Sequence, residues 1–322
     1  VVILTVASAS VTLVVKLIKS GGVNAMPWNL VCYSIPGVII GGQIGLLLQG
    51  KYSQRTMERS IAMLFFVFSI AMFSVAVSPP AAADDTVTWP NGARVAISLS
   101  YDDALESQLD NAIPALNKYN IKGSFYLTLA HPSVHQRLSD WRAAAEVGHE
   151  LANHTIYHGC SRSQPDRDWV SPHLDLDVRS VADLVAEVTM ANTVLHAIDG
   201  RDKRTFTPPC FDQLAGGENY VDAIAPMFVA VKSRDEGIAE GSTFLFGSAD
   251  VTGDELIQFV SEHTRNGVLL NILFHGVGGD HLTTSIEAHE ELLKFLAANR
   301  EMYWVDTYLN IMSYVRDNRT SD

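Results

Sequence analysis

From Arg94 to Val315 short apolar runs alternate with amphipathic stretches, and the alternation predicts strands and helices in turn. Val95–Ser100, Gly123–Leu129 and Val268–Phe274 are runs of strand length, the last strongly apolar. Leu105–Tyr119, Trp141–Val147, Val181–Ile198, Asp254–His263 and Ile286–Ala298 have helical apolar spacing, with Gly148 and Asp199-Gly200 as stop signals for two of them. Thr205–Thr207 and Met227–Val231 read as short strands, and Met302–Val305 with Tyr308–Val315 as a closing strand–helix pair. Strands alternating with helices in this way predict an α/β domain with a mostly parallel sheet, closed as a barrel. Ser161–Leu176 is polar and irregular, as a surface loop would be.

The first 78 residues have another pattern. Apolar runs near 1–18, 30–48 and 60–78 each approach the roughly 20 residues that span a bilayer. The chain opens on Val1 rather than Met, which reads as a piece of a longer reading frame. Lys51, Arg55 and Arg59 place the 51–59 loop in the cytoplasm by the positive-inside rule. The third run then carries the rest of the chain across the membrane. From Met57, however, Arg59, the apolar Ile61–Val77 and Ala81-Ala82-Ala83 also describe a cleavable secretory signal. Both alternatives export the polar remainder. The expected division is a partial membrane segment over 1–56, a signal peptide or anchor over 57–83 and a catalytic domain over 84–322.

Charge separates the two parts as well. Only Lys16, Lys19, Lys51, Arg55, Arg59 and Glu58 are charged in the first 78 residues, leaving 18 basic and 35 acidic residues, a net of −17, beyond them. So acidic a domain repels phosphates, which argues against nucleic acid as a partner.

Candidate chemistry gathers where strands end, as it does at the C-terminal face of a parallel barrel. Asp102-Asp103 closes the first strand, His154 and His158 come after Glu150–Ala152, Thr207-Pro208-Pro209-Cys210 comes after a middle strand, and His275 caps Val268–Phe274. Two histidines four apart can share a metal if the chain between them is helical or turned. With a carboxylate as third ligand, zinc would lower the pKa of a bound water to roughly 7. Blander readings exist for each residue. Asp102 or Asp103 would cap a helix starting at Ala104, and His154 and His158 could be a surface pair. His275 could be an ordinary loop residue. His281 and His289 read as surface residues. Cys160 and Cys210 in an exported domain invite a disulfide, with two buried thiols as the alternative, and Cys32 falls in an apolar run.

Taken together, Ser100-Tyr101-Asp102-Asp103, His154-Thr155-Ile156-Tyr157-His158 and Leu273-Phe274-His275 resemble the motifs of the polysaccharide deacetylases, the NodB-homology or carbohydrate esterase family 4 enzymes. The resemblance implies a distorted (β/α) barrel and removal of acetyl groups from a carbohydrate. It implies Asp103, His154 and His158 as ligands of a divalent metal, usually zinc, and Asp102 as the base. His275 would be the acid and the Cys210 backbone N–H the oxyanion donor. One motif departs: Thr207 stands where the family has an arginine that pairs with the base, which leaves a catalytically impaired carbohydrate- or metal-binding domain on the same fold as the alternative. Arg204, three residues earlier, should face the other side of its strand, and Asp250 is a candidate for orienting His275. Residues 28–73 resemble the last helices of the TauE/SafE exporters, part of a transporter without a complete path.

Overall fold

The computed structural model describes residues 87–232 and 238–319. The expected TauE/SafE-like helices and the expected signal peptide or anchor over 57–83 lie outside the described residues. In chain order the strands are β1 (Val95–Asp102), β2 (Ser124–Leu127), β3 (Glu150–Asn153), β4 (Thr205–Phe206), β5 (Leu214–Ala215), β6 (Glu218–Asn219), β7 (Ala230–Val231), β8 (Thr243–Gly247), β9 (Val268–Phe274) and β10 (Tyr303–Val305). Eight of them form one parallel sheet in the order β7-β4-β3-β2-β1-β9-β8, with β10 also on β1. Strand β10 takes the first half of β1, at Val95–Ile97, and β2 takes its second half, at Ser100–Asp102. The expected distorted barrel is therefore a curled half-barrel. Strands β7 and β8 do not pair among the described residues.

The two faces of the sheet have different chemistry because side chains alternate along a strand. Ile97, Leu99 and Tyr101 of β1, Phe125 and Leu127 of β2, and Leu270, Ile272 and Phe274 of β9 face the helix layer and form the main core. Each such side chain contributes about 1.5–3 kcal/mol on burial. Tyr101 lies between Phe125 at 4.7 Å and Phe274 at 5.1 Å, both stacked. The other parity is apolar at one end, with Ala96 and Leu269 in a second core cluster, and polar beyond it: buried Ser124 and Thr205 donate to Glu150, and Lys232 to Ser100, inside the curl.

Helix limits obey local signals. Ser180 with Asp183 caps Val181–Asp199, Gly200 ends it at φ 71°, and Thr252 with Glu255 caps Gly253–Glu262. The expected helix Leu105–Tyr119 is broken in two, a π-helical turn over Gln108–Ala112 and an α-helix over Ile113–Lys118. Pro114 has no N–H for a regular ladder, and Gln108 Nε2 is drawn onto the carbonyls of Asp102 and His275. Strand β8 was not expected from sequence. It lies at the sheet edge, where Leu245 and Gly247 remain exposed.

Candidate active site

Because the strands are parallel, β1, β3, β4 and β9 all end at one rim. The rim surrounds a cavity of about 620 Å³ lined by Asp102, Asp103, His154, His158, Cys210 and His275, among others. Neighbouring residues on an extended strand face opposite ways. Here Asp103 at φ 80° and Ala104 at φ 61° turn the chain, so both aspartates reach the cavity.

The two histidines after β3 stand on a turn, not a helix. Thr155 has φ 65° and His158 has φ 55°. Thr155 N–H donates to Asn153 Oδ1 at 2.8 Å and His158 N–H to Thr155 Oγ1 at 3.0 Å. The amides of Ile156 and Tyr157 both donate to Glu187 Oε1, each at 3.0 Å. This ladder presents both rings to Asp103. His154 Nε2 is 3.4 Å and His158 Nε2 3.2 Å from Asp103 Oδ1, and the three candidate ligand atoms lie within 4.8 Å of one another.

These residues fit a divalent cation. His154 Nδ1–H donates to Thr207 O at 2.7 Å, which turns the Nε2 lone pair toward Asp103. Asp103 Oδ1 is buried and lacks an aligned hydrogen-bond partner. Lone pairs converging on a buried carboxylate oxygen repel unless a positive charge lies among them. Burial alone would raise the Asp103 carboxyl, yet the imidazoles of His154, His158 and His281 hold it far below the carboxylate range. Burial depresses the His154 imidazole too, but Asp102 and Asp103 outweigh it and the ring is raised.

Asp102 is 3% exposed, with Oδ2 3.9 Å from His154 Nε2 and Oδ1 without a hydrogen-bond partner. His275 Nε2 lies 3.9 Å from Asp103 Oδ2 across the cavity, and burial lowers its pKa against the pull of Asp102 and Asp103. Cys210 sits in the turn Pro209–Phe211 at φ 55°, and a disulfide joins it to Cys160. That bridge ties the turn after β4 to the loop after His158.

Several assignments change. His289 is not a surface residue: it is 1% exposed and its Nε2 shares a 2.7 Å hydrogen bond with the Tyr101 hydroxyl, because its helix turns that face toward the core. His281 is half exposed, but its Nε2 is 2.8 Å from Asp103 Oδ2, so it belongs to the site. Asp250 is exposed and makes no contact with His275 among the described residues. Arg204 points away from the cavity and pairs with Asp199 at 2.7 Å. Glu187 and Lys232 went unnoticed in the sequence. A carboxylate in the apolar register of the helix from Val181 was the available signal for the first. Lys232 gave none, since the strand before it has two residues.

Residues 91–215 match the family model described as polysaccharide deacetylase. No curated protein matches the chain significantly. Among solved structures, a candidate polysaccharide deacetylase from Mycobacterium smegmatis aligns with a TM-score of 0.50 and 15% identity, over 75% of this chain and 96% of that one. The fold is the (β/α) half-barrel of the polysaccharide deacetylases. Peptidoglycan deacetylase PdaC from Bacillus subtilis aligns with a TM-score of 0.49 and 17% identity, over 72% and 96% of the two chains. A CE4 family pseudoenzyme from Bacillus anthracis aligns with a TM-score of 0.47 and 15% identity, over 69% and 66%. The matched residues 91–215 include Asp102, Asp103, His154, His158 and Cys210, whereas His275 falls beyond them.

Proposed function

We propose that this domain is an exported, metal-dependent hydrolase that removes acetyl groups from a carbohydrate polymer or oligomer. One observation carries the reading: the candidate ligand atoms of Asp103, His154 and His158 lie within 4.8 Å of one another, beside Asp102 and His275 in one cavity. A divalent cation there, zinc by ligand type, would polarise the acyl carbonyl and make a water more acidic. Asp102 accepts the proton of the attacking water, which adds to the carbonyl carbon. The Cys210 N–H donates to the carbonyl oxygen as it gains charge. His275 hands its proton to the departing nitrogen or oxygen as that bond breaks, and acetate is released. The Cys160–Cys210 bridge supports export, because such bonds persist in oxidising compartments.

Acetate release from acetylated xylan, chitin oligomers and peptidoglycan, with and without chelator, tests this reading. Chelator-sensitive release is expected. Undiminished release from metal-stripped protein rules out the metal-dependent mechanism. The missing arginine at Thr207, with Arg204 committed to Asp199, favours a second reading as a non-catalytic carbohydrate-binding domain. Glycan binding without any acetate release would select it.

A further inference from the structure

The inside of the half-barrel holds a positive charge that the proposed reaction leaves unused. Lys232 comes directly after β7 and is 9% exposed, its backbone N–H still bonded to Phe206 O at 2.9 Å. Its side chain turns inward, where the ammonium donates to Ser100 Oγ and lies 4.9 Å from the centre of the Tyr126 ring. Those two contacts locate it. Ser100 lies two residues before Asp102 on the same face of β1, about 7 Å along the strand. Tyr126 stands opposite Asp102 in the β1–β2 register. The ammonium therefore lies beneath Asp102, on the inner side of the sheet.

Two buried carboxylates compete for that charge, and their surroundings differ. Glu150 Oε1 accepts from Thr205 N–H at 3.0 Å and Thr205 Oγ1 at 2.6 Å. Its Oε2 accepts from Ser124 Oγ at 2.6 Å and Leu309 N–H at 3.0 Å. Four donors already stabilise it. Asp102 Oδ1 has none. A buried carboxylate oxygen without a donor is the one that a nearby positive charge serves best. Burial brings the Lys232 amine down to about 8, while Asp102 and then Glu150 draw it upward, so it carries its proton at neutral pH.

We propose that Lys232 is a positioning residue whose ammonium compensates and orients the Asp102 carboxylate from inside the half-barrel, filling the role that Thr207 cannot. The proposal rests on Asp102 acting as the base, and its test separates the two claims. In the full chain, Lys232→Met removes the charge at similar volume and Lys232→Arg retains it. Lys232→Met should lower kcat for acetate release about 10- to 100-fold, with KM within about twofold and bound zinc unchanged. Lys232→Arg should recover part of the loss. A Lys232→Met protein with wild-type kcat overturns the proposal. Melting temperatures of Lys232→Met, Asp102→Asn and the double variant give a reading free of activity. The double variant should depart from additivity by more than about 2 °C. Additive shifts with Asp102→Asn, beside non-additive shifts with Glu150→Gln, make Glu150 the partner and overturn the assignment. Wild-type protein that releases no acetate sinks the deacetylase reading alone, and the coupling is still decided by melting.

Discussion

Removing the Glu187 carboxylate should loosen the proposed metal ligands without touching them. Its Oε1 holds the Ile156 and Tyr157 amides at 3.0 Å each, midway between His154 and His158. Its Oε2 is 2.6 Å from Arg179 Nη2, an electrostatic contact off hydrogen-bond alignment, and the two side chains are 4% and 14% exposed. In Glu187→Ala both amides lose their acceptor, at about 1–3 kcal/mol each where water cannot replace it. Tyr157 is 52% exposed, so its amide gains water most readily. The total is about 3 kcal/mol, which lowers the melting temperature by roughly 6–12 °C for a domain of this size. Such a loss leaves most of a typical domain's stability intact, so the variant should fold with a disordered 154–158 turn. Zinc affinity, read by competition with a chromophoric chelator, should fall about 10- to 100-fold, as for other outer contacts of a metal site. Glu187→Gln keeps the acceptor oxygen and should retain most of the affinity. Unchanged zinc affinity in a destabilised Glu187→Ala protein would show that Glu187 supports the fold only, and would refute the link from helix to ligand turn.

Three further outcomes are expected. His154→Ala should abolish bound metal and lower acetate release by more than about 100-fold, beyond the loss typical of an outer contact, while circular dichroism stays native; retained metal would count against it as a ligand. Cys160→Ala with Cys210→Ala opens a 50-residue link, for which chain entropy gives about 4 kcal/mol; equal denaturant midpoints for the two proteins would contradict that figure. Burial holds the His289 imidazole down to about 4, against an ordinary 6.5, so between those values the unfolded chain takes up the proton and the folded one does not. The stability that His289 contributes is complete above pH 6.5 and falls by about 3 kcal/mol as pH drops to 4. His149, lowered to about 3 by burial, acts with the same sign. The measurement is therefore the difference between wild type and His289→Gln, whose stability should decline less over that interval; parallel declines would be the negative result.

Periodicity made the sheet legible where strands were long. Val268–Phe274 is legible at its observed limits because all seven residues are buried. Strands β4 and β7, with two residues each, depend on neighbours more than on their own sequence, and β8 at the edge carries a pattern half turned to solvent. Adjacency in sequence brought Asp102, Asp103, His154 and His158 to notice. What sequence could not convey was the inner face, where Glu150 opens β3 and Lys232 follows β7. A charge in an apolar run gives no sign of whether the fold provides it with a partner. His281 shows the same limit from outside: only the fold of the loop after β9 brings it to 2.8 Å from Asp103.

The backbone at the rim explains why these side chains can converge at all. Twelve described residues other than glycine have positive φ, and nine of them, Asp103, Ala104, Thr155, His158, Asp166, Cys210, Phe211, Asp280 and Leu282, line the cavity or adjoin its residues. Aspartate and histidine tolerate this region comparatively well, whereas Thr155 is β-branched and strained there. Each strained position costs about 1–3 kcal/mol, so contacts must hold it. Thr155 has three: its N–H is held by Asn153, its carbonyl accepts the Leu129 N–H and its hydroxyl holds His158. Glycine at 155 would relieve the φ but lose the hydroxyl that fixes His158. The strain and the ligand geometry are therefore one feature, set by the hydroxyl, and a relaxed turn would face His158 elsewhere.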